Sequence, residues 1–123
     1  MLPLALLVYE ALLPGSQLAN RLRELGYRVL VPGQPADLPA LAHAEMPLVI
    51  LIDLLAKTTN AAECISALRA NPATAHIPVI AFCPLKQRAL QEAARRAGAN
   101  LIAISDGIYE QLPALLSQVL EVH

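Results

Sequence analysis

The sequence predicts an α/β domain of three layers, a doubly wound (βα)5 arrangement with helices on both faces of a parallel five-stranded sheet. Three observations carry that prediction. Pro47-Leu48-Val49-Ile50-Leu51-Ile52-Asp53 is a continuous apolar run that stops on one carboxylate; a strand without polar alternation is covered on both faces, as at the centre of a parallel sheet. Strand-like and helix-like segments alternate from end to end with turn residues between them, the pattern of successive βαβ units. Hydrophobic residues make up 56% of the 123 positions, above the usual share, which suits a sheet buried under two helical layers.

Leu4 to Tyr9 reads as the first strand. Pro14-Gly15-Ser16 then opens a helix that places Leu18, Leu22 and Leu25 on one face, turns Arg21, Arg23 and Glu24 to water, and stops at Gly26. Tyr27 to Val31 is a short second strand, and a Pro- and Gly-containing loop at 32 to 35 precedes a short helix from Asp37 to Ala44. The third strand ends on Asp53; Asn60 caps a helix that runs to Ala70, where Asn71-Pro72 breaks it. Pro78 to Cys83 gives a fourth strand, Leu85 to Ala97 a helix stopped by Gly98, Asn100 to Ile104 a fifth strand, and about Tyr109 to Val122 the last helix. Connections of this kind are almost all right-handed. The carboxyl ends of the strands, where Asp53 falls, are the edge at which open α/β sheets carry their sites.

Length and charge narrow the function. One domain spanning 1–123 is expected, because the chain is too short for two ordinary ones. A formal net charge of −1 supplies no field to draw the domain onto nucleic acid or anionic lipid. The apolar start, Met1 to Val8, has no basic n-region and Glu10 interrupts the run, so it reads as a buried strand rather than a signal sequence, and no apolar run approaches a membrane span. Cys64 and Cys83 have no CxxC spacing and are expected as reduced thiols in a cytoplasmic protein. His43, His76 and His123 lie on separate elements without metal-ligand spacing and are read as surface residues. Pro14-Gly15-Ser16 is an anion-binding candidate only as a helix start, without the Gly-rich or Lys-containing fingerprints of nucleotide loops.

Leu25-Gly26-Tyr27, Asp53-Leu54-Leu55, Leu68-Arg69, Asn71-Pro72 and Ile77-Pro78-Val79-Ile80-Ala81 together resemble the receiver domain of bacterial response regulators, in register along essentially the whole chain. Gly98-Ala99-Asn100 is similar to that family's usual Gly-Ala-Asp. The resemblance implies the flavodoxin-like strand order 2-1-3-4-5 and places Asp53 at the phospho-acceptor position. In a working receiver that carboxylate takes a phosphoryl group, with a magnesium ion held by nearby acids, a hydroxyl on the fourth strand and a lysine on the fifth.

The pattern departs from the family at those helpers. Tyr9-Glu10 stands where an acidic pair is usual, leaving Glu10 and Asp53 as a weak magnesium candidate pair. Cys83 takes the hydroxyl position and Ser105 the lysine position, with Asp106 after it and Ile102 at the aromatic switch position. Losing one preorganised contact of this kind commonly costs about 10²–10³ in rate. Lys57 and Lys86 are candidate replacement cations, and Tyr9 with Ser105 is expected to plug the former pocket.

The reading is therefore a degenerate receiver that acts by protein contact, with no independent enzyme activity. Its expected partners are a histidine kinase, an output domain or another regulator, with a possible homodimer through the face of the fourth helix, fifth strand and fifth helix, where Lys86, Arg88, Arg95 and Arg96 form a basic surface. One alternative is a live receiver phosphorylated on Asp53 with magnesium. A second is a small-ligand sensor using a pocket between Tyr9, Asp53, Cys83 and Ser105.

Overall fold

The structure is a computed structural model that describes residues 2–9, 12–32, 37–55 and 60–120, with the backbone alone at 12–14. Ten elements alternate: β1 (Leu4–Val8), α1 (Leu12–Glu24), β2 (Arg28–Leu30), α2 (Leu38–Glu45), β3 (Val49–Asp53), α3 (Ala61–Ala70), β4 (Val79–Cys83), α4 (Arg88–Ala97), β5 (Leu101–Ile104) and α5 (Ile108–Leu120). All strand pairs are parallel, as the sequence pattern predicts, and the order is β2-β1-β3-β4-β5, as the resemblance to receivers implies.

β1, β3 and β4 are buried at every position, which is why their sequences carry no alternation of apolar and polar residues. Side chains nonetheless alternate between two cores. Leu6, Val8, Ile50, Ile52, Ala81 and Cys83 pack under α2, α3 and α4; Leu7, Leu51, Phe82 and Ala103 pack under α1 and α5 with Leu18, Leu22, Ile108 and Leu112. Full burial of a Leu, Ile or Phe side chain is worth about 1.5–3 kcal/mol, so these two layers dominate the stability of the domain.

Several boundaries differ from the sequence reading. α1 begins at Leu12, so Pro14 and Gly15 sit within its first turn, where proline's missing N–H has no helical partner to lose. α4 begins at Arg88 rather than Leu85, because the Pro84 carbonyl closes a turn onto the Gln87 N–H at 3.1 Å. α5 continues through Pro113, held by Ile108, Leu112 and Leu116 on its buried face. Asn60 caps α3 as expected, its Oδ1 accepting from the Glu63 N–H at 3.2 Å.

Candidate functional site

Parallel register brings the chemistry-bearing residues to one edge. Asp53 is the last residue of β3 and Cys83 the last of β4. The Leu54 N–H donates to the Phe82 carbonyl at 2.9 Å, and the Ser105 N–H donates to the Cys83 carbonyl at 2.9 Å. Asp53 and Cys83 thus end neighbouring strands, and Ser105 follows directly after β5.

Asp53 is 6% exposed. Its Oδ1 accepts from the Leu55 N–H at 2.9 Å, an Asx-type turn that holds the carboxylate against its own loop. Cys83 has no exposed surface. Burial pushes its thiol pKa up, the nearby Asp53 charge raises it further, and a hydrogen bond with the Gln91 side chain partly offsets both. The thiol therefore stays protonated at neutral pH, a weak donor in place of a hydroxyl.

Ser105 is half-buried and opens onto a groove of about 360 Å³ that it lines with Gln17, Asp106, Ile108, Tyr109 and Glu110. Ile102 is half-buried against the core under α2, α3 and α4. The Tyr9 ring packs toward the core under α1 and α5 and lies on Gly15, so closely that a Cβ there would overlap it; it makes no hydrogen bond to Ser105 among the described residues. The same contact covers Gly15.

Glu10 and Lys57 lie outside the described residues. Among the described residues no cluster of three or more His, Cys, Asp or Glu side chains forms, and Asp53 is the one carboxylate of the expected magnesium pair placed at the edge. Magnesium commonly binds through one or two carboxylates together with water and phosphate oxygens, and Asp53 supplies one such carboxylate at this edge. Lys86 is exposed on the loop after β4. Arg88, Arg95 and Arg96 are exposed on α4, with Arg95 and Arg96 paired to Glu92 at 3.0 and 3.6 Å. Cys64 and Cys83 are both buried and form no disulfide. His43 and His76 are exposed, with the His43 Nδ1 2.8 Å from the Asn71 carboxamide nitrogen; His123 lies outside the described residues. No described helix is long and apolar enough to cross a membrane.

Sequence reasoning missed two side chains near these loops. Gln91 on α4 reaches back to the carbonyls of Pro84 and Leu85; a lone glutamine on a polar helix gives no sequence signal for this. Arg69, at the other end of the sheet, donates to the carbonyls of Gly98, Ala75 and Ile77 and to the Asn100 Oδ1.

No protein-family model matches the chain, and comparison with curated proteins yields no significant relative. Solved structures are similar in fold. The receiver domain of a sensor histidine kinase from Pseudomonas aeruginosa, solved with a magnesium ion coordinated in its active-site cleft, superposes with a TM-score of 0.87 at 21% identity, covering 98% of each chain. A chemotaxis response regulator of Vibrio cholerae gives 0.85 at 18% identity, covering 98% of this chain and all of the other. The signal receiver domain of a histidine kinase from Syntrophus aciditrophicus gives 0.84 at 19% identity, covering 96% of this chain and 89% of that one. The fold of this chain is that of the response-regulator receiver domains.

Proposed function

We propose that this chain is a receiver-like signalling domain with a degenerate phosphorylation site, acting through protein contact in two-component or related signal transduction in the cytoplasm, and that it is not an independent enzyme. The observation that carries the reading is the sealed, protonated Cys83 thiol beside Asp53, together with Ser105 in place of a cation. A phosphoryl group on Asp53 would place added negative charge beside a poor donor and lack the fixed lysine charge that balances it in a working receiver. Any magnesium ion would be held weakly, by Asp53 with Glu10. Partners are a histidine kinase, an output domain or another regulator. The exposed cations on α4 favour an acidic counterpart for the α4–β5–α5 face, which is also the candidate homodimer surface.

The test is intact-mass spectrometry after incubation with magnesium and acetyl phosphate, beside the Asp53→Asn variant. The expected result is no phosphoryl adduct on the folded wild type, and an adduct in the double variant Cys83→Thr with Ser105→Lys, which restores both helpers. An adduct on the wild type that is lost in Asp53→Asn overturns the degenerate reading in favour of a live receiver.

A further inference from the structure

The loop between β4 and α4 is tied down peptide by peptide. Gln91, one turn into α4, turns its carboxamide backward: Nε2 donates to the Leu85 carbonyl at 3.1 Å and to the Pro84 carbonyl at 3.4 Å. The Pro84 carbonyl also accepts from the Gln87 N–H at 3.1 Å, and the Lys86 carbonyl from the Arg88 N–H at 3.0 Å. Beneath them the Cys83 Sγ lies 4.0 Å from the Gln87 carbonyl. Gln87, at the N-cap of α4, makes no side-chain cap bond, so one residue further along the helix supplies what the cap does not.

A strand-to-helix loop whose carbonyls face only water opens at small cost; here each carbonyl from 84 to 86 has a protein donor. We infer that Gln91 is a positioning residue that latches the Pro84–Gln87 loop over the Cys83 thiol and holds Leu85 in a fixed outward position. Leu85 is 63% exposed, the most exposed large hydrophobic side chain among the described residues. The inference concerns loop order alone and stands apart from whether Asp53 takes a phosphoryl group.

The test compares Gln91→Leu, Gln91→Glu and Gln91→Lys with the wild type in a Cys64→Ala background. Two readouts are taken: amide exchange at Gln87 and Arg88, and the rate at which Cys83 is labelled by an aromatic disulfide reagent, each rate referred to that variant's own Cys83 thiolate fraction because the Gln91 side chain also hydrogen-bonds this thiol. Leu removes the donor and Glu replaces it with an acceptor, whereas Lys keeps a donor with the reach to return to the carbonyls. Exchange and labelling are expected to rise about tenfold in Leu and Glu, the loss of one or two net hydrogen bonds, and to stay near wild type in Lys. Amides of β3, which open only with the whole fold, report global unfolding separately. Wild-type rates in Gln91→Glu, or equal acceleration in Gln91→Lys and Gln91→Leu with the β3 amides unchanged, overturn the latch.

Discussion

At the amino-terminal edge of the sheet one guanidinium joins three parts of the chain, whereas at the carboxyl-terminal edge the strand ends are joined by backbone bonds and one carboxamide. Arg69 leaves the end of α3 and donates to Ala75 at 3.0 Å and Ile77 at 2.7 Å before β4, and to Gly98 at 3.0 Å and the Asn100 Oδ1 at 2.6 Å before β5. The same Asn100 oxygen accepts from the Val79 N–H at 2.8 Å, and the buried Thr74 hydroxyl donates to the Leu68 carbonyl at 2.7 Å. Leu68-Arg69, Asn71-Pro72 and Gly98-Ala99-Asn100, through which the chain resembles receivers, are largely the residues of this network. The opposite edge, where phosphoryl chemistry would occur, is where Cys83 and Ser105 depart from that pattern. Scaffold and chemistry are separable in this fold: one end of the sheet holds the network, and the proposed degenerate reading concerns the other end alone.

The sharpest way to break that contrast is at the network. Arg69→Met keeps much of the aliphatic stem and removes all four donated bonds, three of them to backbone carbonyls. Charged hydrogen bonds contribute about 1.5–3 kcal/mol each, and water replaces part of that loss at a half-buried site. A destabilisation of about 3 kcal/mol is expected, read from the urea midpoint at unchanged slope. A loss below about 1 kcal/mol would mean that strand register, and not the guanidinium, holds this edge.

A smaller effect separates packing from chemistry at the other edge. A Cβ at Gly15 overlaps the Tyr9 ring, so Gly15→Ala forces the ring or the first turn of α1 to move, at about 2 kcal/mol. In a Tyr9→Ala background the obstacle is gone, and the same substitution becomes neutral or gains up to about 1 kcal/mol from better helix propensity. Urea unfolding of the four proteins closes a double-mutant cycle. A Gly15→Ala cost that persists without the ring would locate the strain in the helix backbone instead.

The contrast also explains what could be read from the sequence. Burial of β1, β3 and β4, the Asn60 cap and the place of Asp53 are local signals, each spelled out within a few residues. The Arg69 network is not local, since its partners at Gly98 and Asn100 lie 29 and 31 residues away, and no periodicity marks such a contact. The contact of the Tyr9 ring with the bare backbone of Gly15 is not legible either, because it depends on where α1 begins. The start of α4 was placed three residues early because Leu85, Lys86 and Gln87 carry no signal against a helix; the Pro84 turn and the Gln91 side chain decide it. Conversely, Cys83 and Ser105 were legible as departures only through register with a known family, because neither residue type is unusual at a strand end.

The smallest expected effect is a pH dependence confined to the chemistry-bearing edge. Burial and the Asp53 charge raise the Cys83 pKa in the folded protein above its ordinary value. The unfolded thiol ionises near pH 8.5, about its unperturbed value. Above that pH the unfolded chain binds fewer protons than the folded one, so this thiol makes stability fall as pH rises; below it the contribution is fully present and flat. Cys83→Ala cannot titrate there, and its stability, referred to its own value at pH 7, is expected to decline less between pH 7.5 and 9.5 than that of the wild type. Keeping below pH 10 avoids Tyr27, whose phenol is also raised by burial. Urea midpoints across that window decide the matter: a shallower decline in the variant ties the sealed thiol to the fold, and parallel profiles would show that Cys83 ionises as readily in the folded protein as in the unfolded chain, against a closed Pro84–Gln87 loop.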